Sequence, residues 1–430
     1  MKRFTILFAL LLSLGGTFAQ SEIDNLELGQ DGPVEIDFWH IQATIYGEAI
    51  TEIVAGFNEQ YDGQVHVTET FKGEYDELNR ALRASLRGGG LPDVSMAYEG
   101  DVLEYMQADV VVPLDPYIES ERYGLSEEEL SDIVPAVLAR QRLPSYNGQT
   151  MSWPHGNSSQ GVYYNLDLLG QAGIEKPAAT WPEFFEQLRT VQQATGTPGM
   201  VMSSYSLAGT LNNWLRTMGV DTISEDAQSA NFDNEQMVQM LTWLQQGLQD
   251  GSIVFVEDTE QEFTNGRAAM EIGTTARTSS KLELIDGAFD WGVTLIPHGE
   301  GNEPSTELYG GNQVLFESTP EEQLAGWLFL KYFAGPEAQA IYAEKTGYFP
   351  ATLSSQETPL LSENYSTYPQ KAQAFEEVFP YASITYPLAV RRTVGDAVQV
   401  QIETVLLGGG DPAQAAVAMQ SEAERILSRQ

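Results

Sequence analysis

The chain has 430 residues, 42% of them hydrophobic, and a formal charge of -39 from 61 acidic against 22 basic side chains. That length exceeds one ordinary core and predicts two, while such acidity excludes a surface built for nucleic acid or anionic lipid. The chain contains no cysteine, which excludes a disulfide framework, a thiolate metal site and a cysteine nucleophile.

The opening Met-Lys-Arg, the apolar run Phe4 to Leu14 and the small residues ending at Ala19 read as a signal peptide over 1–19, cut after Ala19. The apolar run is too short to span a bilayer, so the mature protein is expected to be periplasmic or extracellular. Losing Lys2 and Arg3 would leave it two charges more negative. A polar lead-in to Pro33 is expected to be disordered. Val34 to Trp39 then alternates as a first buried strand. Ile50, Ile53, Val54 and Phe57 recur with helical spacing, and Val65 to Phe71 returns to strand alternation, which together predict a β-α-β unit and an α/β fold.

Leu78, Leu82 and Leu86 share one face of a helix predicted over 75–87, which Gly88-Gly89-Gly90 stops before the strand at Leu91 to Val94. The triple glycine lacks the lysine, the hydroxyl and the following helix of a phosphate loop. Ser152 to Asn165 mixes glycine, proline and hydroxyls and is read as the first crossing between lobes. Helices follow at 166–173 and 181–193. In the helical block 232–251, Met237, Met240, Leu241, Leu244 and Leu248 read as core. Strands are expected after Met270, over 291–297 and over 313–316, and helices over 321–333 and 336–345. Lys345 to Thr352, Lys-Thr-Gly-Tyr-Phe-Pro-Ala-Thr, sets an aromatic between a flexible glycine and a rigid proline, as a ligand-facing hinge loop would. Two helices separated by Gly408-Gly409-Gly410 close the chain.

His40, His66, His155 and His298 are scattered, with no metal-ligand spacing. Gly156-Asn157-Ser158-Ser159-Gln160-Gly161 misses the nucleophile elbow of a serine hydrolase. No metal, cofactor or catalytic group is expected. Paired carboxylates for glycoside cleavage are uninformative in so acidic a chain, which keeps a secreted glycosidase as an alternative, beside a non-transport carbohydrate-binding module. Hydroxyls, aromatics, glycines and the basic pair Arg391-Arg392 fall at strand ends and loop starts in both halves. Such a set suits a small polar solute, with ring faces on C–H surface and hydroxyls and amides on oxygens.

From Ile36 onward the order of Phe38-Trp39-His40, Lys72-Gly73-Glu74-Tyr75, Tyr98-Glu99, Asn157-Ser158-Ser159 before Tyr163-Tyr164-Asn165, Phe263 to Met270, Gly310-Gly311, Lys345 to Pro350 and an arginine before the last helices resembles the extracellular solute-binding proteins of bacterial ABC importers. The glycerol-3-phosphate-binding subgroup is the nearest. The resemblance implies a two-lobed periplasmic-binding-protein fold, type II-like, with a hinge and a ligand cleft between lobes; the expected N-terminal lobe is 34–153 with 296–347, and the C-terminal lobe 154–295 with 348–430. It implies a monomeric receptor, without nucleic acid as partner, that closes on glycerol-3-phosphate, a glycerophosphodiester or a sugar and hands it to membrane permease subunits. By the same resemblance Tyr75 and Glu99 would hold hydroxyls, Ser158, Thr275, Gly311 and Tyr348 would donate to phosphate oxygens, and Arg391 or Arg392 would supply charge. Asn157 belongs to the matching stretch. Where the family pattern has two tryptophans, this chain keeps one aromatic, Tyr205.

Overall fold

In the computed structural model, which describes residues 22–385, 388 and 390–429, the chain separates into two compact units. Unit 1 runs to Asn157 and takes in Gly310–Asn364, and unit 2 holds Ser158–Tyr309 and continues from Tyr365. The leader expected over 1–19 lies outside the described residues. The unit boundaries differ from the lobe boundaries expected from sequence, for a physical reason. The stretch 296–309 is held to unit 2 by pairing of Thr306 with Ala382 and by Gly299 N–H donating to the Thr217 carbonyl at 2.9 Å. Residues 348–351 are held to unit 1 instead: Phe349 N–H donates to the Asn157 carbonyl at 2.6 Å and Ala351 N–H to Gln339 Oε1 at 2.8 Å.

The described strands are β1 (Val34–His40), β2 (Val65–Phe71), β3 (Val94–Ala97), β4 (Trp153–Pro154), β5 (Gln160–Asn165), β6 (Met200–Met202), β7 (Ile253–Phe255), β8 (Met270–Thr274), β9 (Trp291–Leu295), β10 (Thr306–Glu307), β11 (Asn312–Leu315) and β12 (Ala382–Ser383). Unit 1 is built on a sheet of order β2-β1-β3-β11-β4, and unit 2 on a sheet of order β7-β6-β8-β5-β9. The two sheets share one plan. The first three strands in each are parallel, and the fourth, which is the strand that follows a change of unit, runs antiparallel to the third.

Alternation sends Ile36, Phe38 and His40 of β1 inward, and the helix Thr44–Gln60 packs beside β2 and buries Ile50, Ile53, Val54 and Phe57. Phe329 from the helix Pro320–Phe333 packs on Phe38 and Phe57 with ring centroids 5.2 and 5.3 Å away. The lead-in is ordered from Glu22, contrary to the expectation of disorder. Ile23 is buried, Arg122 pairs with Glu27 at 2.8 Å and the Tyr123 hydroxyl donates to the Leu26 carbonyl at 2.7 Å.

In unit 2 the methionine stripe is core, as its spacing predicts: Met237, Met240, Leu241 and Leu244 are buried on the helix Glu235–Asp250, which Asn234 caps through Met237 N–H. Trp181 lies 4.8 Å from Trp214, and its indole N–H donates to Thr217 Oγ1 at 2.8 Å.

Strand polarity fixes where side chains can gather. The parallel strands β1, β2 and β3 all end on one edge of the unit 1 sheet, and β11, antiparallel to β3, begins there because Asn312 pairs with Ala97. Unit 2 repeats this arrangement. β6 and β8 end on one edge, where Gln160 at the start of β5 pairs with Thr274. Loops at the carboxyl ends of parallel strands are where open α/β sheets carry ligands.

Trp181→Phe removes the indole donor and leaves a void in a closed core, so it should destabilise unit 2 by about 1–3 kcal/mol. Thermal unfolding should then show a midpoint lowered by several degrees; an unchanged midpoint would show that this packing contributes nothing.

Candidate functional site

Unit 1 gathers Tyr75, Glu99, Gly311 and Tyr348 at the carboxyl edge of its sheet. Tyr75 opens the helix Tyr75–Gly88, whose start is fixed by a capping box between Glu74 and Glu77. Glu99 opens the helix Glu99–Gln107 directly after β3, with Tyr98 as its cap. The Tyr75 and Tyr98 rings stack with centroids 3.9 Å apart. Gly311 lies against them so closely that a Cβ there would sit 2.8 Å from the Tyr75 hydroxyl. Its neighbour Gly310 has φ +126°, and a Cβ would meet the Gly156 carbonyl oxygen at 1.9 Å, so only glycine fits this re-entry into unit 1.

Tyr348 packs between Tyr46 and Tyr342, with centroids 6.0 and 5.3 Å away. Burial first, and then the phenols of Tyr98, Tyr348 and Tyr342, push the Tyr75 hydroxyl well above its ordinary range. It stays protonated as a donor. The unit 1 site is therefore an aromatic wall with phenolic hydroxyls and one carboxylate.

A residue missed by sequence reading holds this carboxylate. Arg140, 1% exposed on the short helix Pro135–Arg140, places Nε 3.2 Å from Glu99 Oε1. Its Nη2 donates to Asn312 Oδ1 at 2.8 Å and reaches Asn157 Oδ1 and the Gly311 carbonyl at 3.4 Å each. Asn157 is fully buried, with its side chain turned to Arg140 and to the Phe349 carbonyl. Its geometry is that of a residue that holds loops in place.

Unit 2 carries Ser158, Thr275 and Arg391. Ser158 exchanges both backbone hydrogen bonds with Tyr309, at 2.9 and 2.8 Å. Thr275 follows β8, and its Oγ1 accepts from Ser159 N–H at 3.0 Å while its N–H donates to the Ser159 carbonyl at 2.9 Å. That use of Oγ1 as acceptor leaves its proton for another acceptor. The Tyr309 hydroxyl donates to Glu307 Oε2 at 3.0 Å. Arg391, half-buried at the start of the helix Arg391–Leu406, has its pKa lowered by burial, with the Glu307 carboxylate opposing and the nearby Arg216 adding to the shift.

Arg216 is a second cation missed from sequence. It is held by Asp221 at 3.1 Å and by the Ile384 carbonyl at 3.1 Å. Tyr205, 86% exposed, lies in the loop before the helix Leu207–Thr217, and Gln399 ties that loop to the Arg391 helix through Ser204 and Ala208. Arg392 is exposed and joins none of these contacts.

Among the described residues no group of three or more His, Cys, Asp or Glu is placed to hold a metal ion. Of the four histidines His40 and His155 are buried, and His66 is exposed. His155 stacks on Phe333 at 4.7 Å, and burial, with His40 nearby, lowers its pKa to about 3. An unfolded chain would titrate it near pH 6.5, so below that pH the unfolded state binds the extra proton and stability falls as pH drops toward 3, by up to about 1.4 kcal/mol per unit. His155→Phe should remove this dependence. Denaturant unfolding at pH 6.5 and 4.5 should show the variant gaining about 2–3 kcal/mol relative to wild type across the interval; parallel losses would place the titration elsewhere.

Comparison with known proteins places this geometry in context. A family model described as bacterial extracellular solute-binding protein matches residues 52–373. The sn-glycerol-3-phosphate-binding periplasmic protein UgpB of Brucella abortus (strain 2308) is 24% identical over 349 residues, covering 78% of each chain. Two solved structures share the fold. The cyclic alpha-maltosyl-1,6-maltose binding protein of Arthrobacter globiformis gives a TM-score of 0.79 at 23% identity, covering 93% of this chain and 100% of that one. UgpB of Mycobacterium tuberculosis in complex with glycerophosphocholine gives 0.78 at 20% identity, with 93% and 99% covered.

Proposed function

The chain belongs to the bacterial extracellular solute-binding proteins, and from that premise we propose that it captures a phosphorylated polyol, glycerol-3-phosphate or a glycerophosphodiester, outside the cell. As a solute-binding protein of an ABC importer it delivers its solute to membrane permease subunits. The finer reading also includes secretion by the 1–19 leader, a periplasmic location and a monomeric state.

The observation that carries the solute class is the chemical division between the two sets of side chains. Unit 1 offers a carboxylate and phenols, which suit hydroxyl donors. Unit 2 offers the hydroxyls of Ser158 and Thr275 and the cations Arg391 and Arg216, which suit phosphate oxygens. In this reading Tyr75 and Glu99 take the glycerol hydroxyls, Gly311 N–H and the Tyr348 hydroxyl assist from unit 1, and Ser158, Thr275 and Arg391 take the phosphate. The chain's charge of -39 does not oppose this, because charges beyond roughly 10 Å are screened while the arginines act at short range. A solute that needs both sets binds fully only in conformations where both reach it, so binding shifts the population toward them.

A second reading is a neutral sugar, favoured by the stacked Tyr75–Tyr98 pair and by the exposed Tyr205 ring, because sugar C–H faces pack on aromatic rings. Calorimetric titration of the ligand-stripped protein with glycerol-3-phosphate, glycerophosphocholine and maltose separates the two. The phosphate reading expects binding of a phosphate-bearing solute that weakens at least about tenfold in Arg391→Ala, because the truncated side chain can no longer donate a charge-assisted hydrogen bond. In the exposed Arg392→Ala the affinity should change less than about twofold. Maltose binding indifferent to both arginines would replace the phosphate with a sugar. Binding of none of the three would overturn both solute readings.

A further inference from the structure

Glu99 is restrained in a way that its proposed role alone does not require. Oε1 faces Arg140 Nε at 3.2 Å and accepts from Asn312 Nδ2 at 3.1 Å, and the Glu99 main-chain carbonyl accepts from the Tyr146 hydroxyl at 3.2 Å. Oε2 takes no hydrogen bond among the described residues, and the side chain retains 20% of its exposure. Arg140 is itself aimed: Asn312 Oδ1 holds Nη2, and Gln141 Nε2 donates to that same Oδ1 at 3.0 Å, while Ser152 Oγ fixes the other end of the Gln141 amide at 2.6 Å. The chain Ser152–Gln141–Asn312–Arg140–Glu99 is buried until its last member, which is half-buried and whose Oε2 has no hydrogen-bond partner among the described residues.

We propose that Arg140 is a positioning residue that sets the solute specificity of unit 1 without touching solute. By pairing ionically with Oε1 while Asn312 donates to the same oxygen, it restrains the carboxylate and leaves Oε2 as the single acceptor without a partner. An acceptor of this kind rewards a hydroxyl donor and repels an anionic oxygen. Unit 1 thereby selects the polyol end of a solute and turns a phosphate away toward other donors. Arginine is required because one planar group must meet Glu99 through Nε and Asn312 through Nη2 together; a lysine ammonium has no such fork.

This inference rests on the assignment of Glu99 to solute hydroxyls, and the experiment separates the two. The affinities of glycerol-3-phosphate and of n-propyl phosphate, which lacks both hydroxyls, are measured by calorimetry for wild type, Arg140→Lys, Asn312→Asp, Glu99→Gln and the Arg140→Lys/Glu99→Gln double variant. Asn312→Asp keeps an acceptor for Arg140 and Gln141 but cannot donate to Glu99, so it tests the lock even if Arg140→Lys folds poorly. Wild type should prefer glycerol-3-phosphate. Both single lock variants should lose about tenfold to a hundredfold of that preference with propyl phosphate affinity unchanged, and Arg140→Lys should add nothing in the Glu99→Gln background.

A merely structural Arg140 would weaken both ligands alike. That result, or a preference retained in both lock variants, overturns the inference while leaving the hydroxyl assignment standing. A wild type that binds glycerol-3-phosphate no better than propyl phosphate, or not at all, removes the hydroxyl assignment and the inference with it.

Discussion

A guanidinium enclosed in a protein interior costs several kcal/mol, and unit 1 offsets that cost for Arg140 through the Glu99 ion pair and the acceptors around Nη2, while Nη1 has no hydrogen-bond partner among the described residues. Arg140 meets Glu99 at the start of a helix, Asn157 where the chain leaves the unit, and Gly311 and Asn312 where it returns. These positions are far apart in sequence. One buried charge contacts them all, so the segments that carry Glu99, Asn157 and Gly311 are positioned by the same side chain. Removing Arg140 alone would strand a half-buried carboxylate, which is why conservative replacements are the informative ones.

The second constraint is strand polarity. Each sheet places three parallel strands beside an antiparallel strand that enters after a change of unit. The amino end of that fourth strand must therefore lie at the carboxyl edge of the other three. Gly311 beside Tyr75, and Ser159 beside Thr275, follow from this arrangement rather than from any property of the residues themselves. The same plan occurs in both units although the sequence contains no visible internal repeat, because hydrogen-bond order and apolar alternation can be met by many residue choices.

That difference explains what could be read in advance. Periodicity exposed the first β-α-β unit, the helix carrying Leu78 and Leu82, and the methionine stripe at Met237 and Met240, since each is a local pattern with one buried face. The Lys345–Thr352 loop, expected from its glycine, aromatic and proline to be a hinge, lies wholly within unit 1, and the chain changes unit at 157–158, 309–310 and 364–365 instead. Arg140 was not legible: a cation closing a six-residue helix looks like surface until Glu99, Asn157 and Asn312 converge on it. Arg216 escaped notice similarly, as did the anchoring of the lead-in by Arg122 and Glu27, 95 residues apart. Unit boundaries depended on single backbone pairings at Phe349 and Thr306 that leave no trace in composition.

The proposed function requires one solute to engage residues of both units. Amide hydrogen exchange of the ligand-stripped protein with and without saturating glycerol-3-phosphate tests this directly. Protection should appear together around 98–101 and 311–312 in unit 1 and around 158–159, 275–277 and 391–394 in unit 2, with the Trp181 core unchanged. Protection confined to one unit, or absent from both at saturation, would contradict it.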